Sequence, residues 1–132
     1  MLTIVRFLAV MLTAISMSAG FAHLLALPNK IYLARDPYLA VQQIYRGWAL
    51  LGIAVVGALV TTGIAAYLVR ARRVQFYLTA LALVCIARSL AVFFSFTFPA
   101  NQATRNWTML PDHWEALRRH WEYSHAVGAR LY

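Results

Sequence analysis

The sequence predicts an all-α integral membrane bundle, with three transmembrane helices followed by an amphipathic C-terminal helix. Three observations carry that prediction. The 132 residues are 62% hydrophobic and only 12% charged, against about 45–50% apolar and about 25% charged in soluble domains. The apolar residues gather into three runs, each long enough to cross a bilayer core, which takes roughly 20 residues at about 1.5 Å each. Twelve basic groups face four acids, for a formal net charge of +8, and most of the cations punctuate the apolar runs. That is the pattern of loops at phospholipid head groups, not of a soluble nucleic-acid surface. Disordered, collagen-like and disulfide-rich classes are excluded together. Cys85, the sole cysteine, lies inside an apolar run, so neither an intrachain disulfide nor a Cys-based metal motif is available.

The first run, residues 7–27, has no formal charge and one polar ring, His23. A cleaved signal peptide competes for it, with Arg6 as its basic start and Ser18-Ala19-Gly20 or Gly20-Phe21-Ala22 as its small-residue end. The run continues through Leu24-Leu25-Ala26-Leu27, longer than such a segment needs, which favours a span. A polar connection, 28–46, carries Lys30, Arg35 and Asp36. The second run, 47–69, sets Gly57, Thr61 and Ala65 at four-residue spacing beside Ala54 and Ala58, as span one does with Ser16 and Gly20. Small residues at this spacing let helices approach closely. The turn Arg70-Ala71-Arg72-Arg73 then folds spans two and three into an antiparallel hairpin. The third run, 74–98, holds one charge, Arg88, and Pro99 is expected to break the helix after it. The three-Arg turn favours a cytoplasmic N-terminus, although Lys30, Arg35, Arg46, Arg105 and the tail put more cations on the other side. The expected location is a bacterial inner membrane.

The composition changes after Phe98. Asp112 with Glu115 three residues on resembles a capping box, so a helix is expected over 112–131. Trp114, Arg118, Trp121, His125, Gly128 and Tyr132 recur at spacings of four and three and share one face. Glu115 and Arg119 occupy the outer face, with Arg118–Glu122 bridging towards it. Such a helix suits the membrane interface, either as a plain anchor or as the wall of a site.

The run Phe98-Pro-Ala-Asn101-Gln-Ala-Thr104-Arg-Asn106-Trp107, then Pro111-Asp-His-Trp114, then Leu117-Arg118-Arg119-His-Trp121-Glu122-Tyr123-Ser124-His125 resembles the anthrone-oxygenase-like family of small membrane proteins. The specific motif covers about residues 98–125, and the architecture covers the whole chain. The resemblance implies oxygenation of an anthrone to an anthraquinone without metal or flavin. His125 would be the base and Arg118 the group that stabilises the resulting oxyanion. Similar proteins continue into a fourth apolar span where this sequence reaches Tyr132. The expectation is therefore a shortened sequence or a partner in place of that helix.

The expected ligand-binding residues are His23, Asn29, Arg88, Asn101, Trp107, Trp114 and Trp121, beside the catalytic pair His125 and Arg118. Aromatic walls with a few Arg, Asn and His donors suit a flat aromatic or quinone-like lipophile. Placing Arg88 inside a span costs about 2.5–3.5 kcal/mol. Since no acid lies in any run, its guanidinium is expected to turn inward and meet at least two oxygen acceptors. No metal is expected, because His113 and His120 sit about 10 Å apart along the axis and no His-x-x-x-His pair exists. Haem would have to use His23, and no cofactor is expected. The rival reading is a non-catalytic subunit contacting lipid and a membrane-protein partner or further copies of itself. Nucleic acid is not an expected partner.

Overall fold

The computed structural model describes all of residues 1–132. Helix α1 spans Leu2–Lys30, α2 spans Arg35–Gln42, α3 spans Leu51–Leu68 and α4 spans Arg73–Val92. After a π-helical stretch, Phe93–Thr97, come α5, Phe98–Ala103, and α6, Trp114–Ala129. No element is a strand. Three helical segments are long and apolar enough to cross a membrane: Leu2–Lys30, Trp48–Leu68 and Arg73–Ala103. The first and third cover their expected runs and extend beyond them, and the second falls one residue short of its run at each end.

The burial pattern is that of a bundle solvated by lipid. Large apolar side chains such as Phe7, Leu25, Ile53, Leu78 and Leu81 are exposed, while Ala9, Ser16, Ala54, Ala58, Thr62 and Ala65 are buried. With hydrocarbon outside, burying leucine brings little gain, and close backbone packing by small residues drives association. The small-residue faces are used in this way. A Cβ on Gly57 would lie 3.0 Å from Leu12 of α1, and one on Gly20 would lie 3.2 Å from Ala129 of α6.

Helix α4 does not stop at Pro99. It runs through the π-helical stretch into α5 and ends at Ala103. Proline lacks the N–H and crowds the carbonyl four residues back, and the widened π turn just before it absorbs that mismatch. The capping box also fails to form. Helix α6 begins at Trp114 with His113 at its N-cap and no side-chain cap bond, since Trp114 N–H donates to the Pro111 carbonyl instead.

Arg6 at the start of α1 donates to Gln75 at the start of α4, at 2.9 Å, so the N-terminus lies at the end of the bundle that holds the 70–73 turn. Helix α6 then returns from the opposite end and inserts between α1 and α4. In a Cys85→Ser background, single cysteines at Thr3 and Ala71 should label from one side of sealed vesicles and one at Met109 from the other. Labelling of all three from one side would refute this topology.

Candidate functional site

The buried residues of α1 are Ala9, Ser16, His23 and Lys30. They recur every seven residues, about two turns, so they form one stripe along the helix. Helix α6 lays Trp114, Arg118, Trp121, Glu122 and Ala126 inward against the upper half of that stripe, while Glu115 and Arg119 are exposed. Helix α2 brings Tyr38 and Gln42, one turn apart, over the top.

These elements meet in a buried ion pair. Lys30 Nζ lies 3.0 Å from Glu122 Oε1, with side-chain exposures of 4% and 0%, and donates to the Tyr45 hydroxyl at 2.9 Å. The ammonium also lies over the rings of Tyr45, at 4.5 Å, and Trp121, at 4.8 Å, a favourable cation–π placement. Tyr38 donates its O–H to the same carboxylate oxygen at 3.0 Å and accepts from Gln42 Nε2. Burial first, and the Glu122 charge second, push the Tyr38 phenol above the usual tyrosine range, so it remains a donor. A buried charge pair is tolerable when its remaining lone pairs and protons are satisfied. Here one atom is left over, because Glu122 Oε2 has no partner.

One layer deeper, the His23 and His125 rings stack at 4.0 Å with planes 15° apart. Trp121 closes one side, 4.9 Å from His23 and 4.4 Å from His125. Tyr45 and Trp48 cover His23 at 4.4 and 5.4 Å. His23 Nδ1 is buried without a partner. Tyr45 and Trp48 belong to short 3₁₀ turns on either side of Gly47, whose φ of 89° is in the region that favours glycine.

Asn101 organises the aromatic wall. Its Oδ1 accepts from both Trp121 Nε1, at 2.8 Å, and Trp107 Nε1, at 3.1 Å. Trp107 reaches that point through a left-handed turn, with Arg105, Asn106 and Trp107 at φ of 48°, 55° and 59°. Such a backbone costs non-glycine residues roughly 1–2 kcal/mol each. Bonds offset it: Trp107 N–H donates to Thr104 Oγ1, Asn106 N–H to the Asn101 carbonyl, and Gln43 Nε2 to the Trp107 carbonyl. Strain held this firmly is characteristic of positions where side-chain placement matters.

Of the residues expected from sequence, the structure gathers His23, Asn101, Trp107, Trp114, Arg118, Trp121 and His125 in this region. Arg118 stacks over Trp114 at 4.6 Å and donates from Nη1 to the Leu33 carbonyl at 2.6 Å, two turns of α6 above His125. Asn29 is exposed and outside the cluster. Arg88 is also exposed, against the expectation of an inward guanidinium. The interior at its level is filled, because a Cβ on Gly128 of α6 would already lie 3.2 Å from Ser89 Oγ. Glu122 does not pair towards the outer face with Arg118; it is 1% exposed and pairs with Lys30. Lys30, Glu122, Tyr38, Gln42 and Tyr45 were not expected from the sequence. The seven-residue stripe of α1 was available as a signal, but Ala, Ser, His and Lys share no chemistry that marks them as one face.

The region is packed ring against ring. Clefts elsewhere include one of about 540 Å³ beside Asp36, Gln43, Arg46 and Thr108 and an apolar groove of about 230 Å³ between α1 and α4. No group of three His, Cys, Asp or Glu side chains converges as metal ligands would. The chain matches no family model, no curated protein and no solved structure.

Proposed function

We propose that this membrane protein binds a flat aromatic or quinone-like lipophile at the His23–His125 stack and, in line with its resemblance to anthrone-oxygenase-like proteins, oxygenates it without a cofactor. The observation that carries the reading is the stacked imidazole pair walled by Trp121, Tyr45 and Trp48, with two unpartnered polar atoms nearby, His23 Nδ1 and Glu122 Oε2. A ligand enters by displacing the Trp48 ring, whose turn pivots at Gly47, and slides between aromatic faces. His125 takes a proton from the activated ring carbon. The resulting anion is electron-rich enough to react with dioxygen; one oxygen atom becomes the new carbonyl and the other leaves as water. Lys30 steadies the phenolate oxygen of that anion, because it shares the Trp121 ring with His125, whereas Arg118 holds the 31–34 connection through Leu33.

Anthrone and menadione titrated into detergent-solubilised protein should quench tryptophan fluorescence saturably. His23→Ala should weaken that binding about tenfold, the loss of roughly one hydrogen bond and a ring face. His125→Ala should leave binding within a few-fold but lower anthrone-dependent oxygen uptake about 10²–10⁴-fold. Absence of saturable quenching would refute the site, and oxygen uptake unaffected by His125→Ala would refute the chemistry. A second reading, a non-catalytic membrane subunit, is favoured by one observation: Arg88 faces outward in mid-span without a carboxylate.

A further inference from the structure

The polar layer above the His23–His125 stack holds three buried atoms that no protein group meets: Arg118 Nε, Gln42 Oε1 and Glu122 Oε2. Gln42 is 3% exposed, Glu122 1% and Arg118 9%, so bulk solvent does not satisfy them. Buried donors and acceptors in folded proteins are nearly always paired, because an unmade bond costs the full desolvation of the group. One of these three atoms is a donor and two are acceptors.

The three belong to one cluster. Arg118 and Glu122 are one turn apart on the buried face of α6, so their side chains are neighbours. The Tyr38 hydroxyl draws the Gln42 amide and the Glu122 carboxylate to a single oxygen. The Arg118 guanidinium carbon lies 5.4 Å from the centre of the same tyrosine ring. Tyr38 has one proton and gives it to Glu122, so Gln42 presents its N–H side to the phenol oxygen and keeps Oε1 as a bare acceptor. Arg118 is held back from a direct bond to Glu122. Its Nη1 donates to the Leu33 carbonyl at 2.6 Å, and its guanidinium lies over Trp114 at 4.6 Å.

We infer that a single buried water molecule binds here, accepting from Arg118 Nε–H and donating to Gln42 Oε1 and Glu122 Oε2. Three hydrogen bonds are the usual complement of an internal water. A metal cation is opposed by the ammonium and the guanidinium already beside the carboxylate, and an anion by the two bare oxygens. A small neutral group that both donates and accepts fits the set. The water joins Arg118 to Glu122 without direct contact. Through Glu122 and Lys30 it makes α2, α6 and α1 one polar network, whose members strengthen one another in a low-dielectric interior. The inference does not rest on the ligand reading, since this layer lies above the imidazole stack and its test involves no lipophile.

Water-edited solid-state NMR of isotope-labelled protein in phosphatidylcholine liposomes reads the site directly. At short mixing times, water magnetisation should reach Arg118 Nε, identified as the signal missing from Arg118→Lys. It should not reach Trp107 Nε1 or Trp121 Nε1, which are buried nearby and bonded to Asn101. Gln42→Leu replaces one acceptor by hydrocarbon and should abolish the transfer, with the two indole resonances in place as the sign of an intact fold. An Arg118 Nε as silent as the indoles in the wild-type protein would overturn the proposal. So would a dipolar contact between Arg118 Nε and the Glu122 carboxyl carbon as short as a direct bond requires. Transfer unchanged by Gln42→Leu would place the water elsewhere and would equally overturn it.

Discussion

Glu122→Gln should lower the thermal stability of the detergent-solubilised protein by about 3–5 kcal/mol, the usual consequence of removing one partner from a buried ion pair. Lys30 is 3% exposed and would be left as an unpaired ammonium, with only the Tyr45 hydroxyl and two ring faces for company. Tyr38 would keep an acceptor in the amide oxygen, so its bond is not the source of the loss. Lys30→Met should be comparably damaging, because it strands the carboxylate instead. The informative variant is the double one, Lys30→Met with Glu122→Leu. Replacing both charges by apolar groups of similar size is often neutral or stabilising, so most of the lost stability should return. Melting followed by tryptophan fluorescence measures all three. Additive losses in the double variant would mean that the two side chains act separately and that the ion pair does not hold α6 against α1.

Asn101→Leu should be the next most disruptive substitution. Its Oδ1 is the acceptor for two indole N–H groups, on Trp107 at 4% exposure and Trp121 at 3%. Each buried donor left unmade costs about 1–3 kcal/mol. The left-handed turn at 105–107 would keep its bonds to Thr104, the Asn101 carbonyl and Gln43 but lose the side-chain hold on the Trp107 ring. Trp107→Phe in the Asn101→Leu background removes one orphaned donor, so it should cost less there than in wild type. A double-mutant cycle reads that coupling directly. If Trp107→Phe is equally damaging in both backgrounds, the shared acceptor contributes nothing to the fold.

The spans were legible because crossing a bilayer demands only length and apolarity, and both are local properties. The shared face of Trp114, Arg118 and Trp121 was legible too, since one helix face is a matter of spacing, but whether it served as an interfacial anchor or an inward wall was decided only by the packing of α6. The spacing of four from Arg118 suits Glu122 to a pair bridging towards the outer face. On α6, however, the buried arc is wide enough to take in adjacent positions Trp121 and Glu122. The partner that decides the matter, Lys30, lies at the far end of the chain, and no spacing rule connects the two. Arg88 failed in the opposite sense. The cost of a guanidinium in hydrocarbon favours an inward turn, but Gly128 and Ser89 close that level of the bundle.

Composition and hydrophobic run length alone thus determined an all-α chain with three membrane-crossing helices and an aromatic face on its last helix. Each of these follows from the transfer free energy of residues close together in sequence. Tertiary structure decided which polar groups meet: Lys30 with Glu122, His23 with His125, and Asn101 with two tryptophans. Those pairings depend on where α6 inserts between α1 and α4, and hence on the close approach of Gly20 to Ala129. It also decided that Arg88 stays outside. In a membrane interior, small residues set the distances between helices, and those distances, more than the identity of any one polar residue, select which charges find a partner.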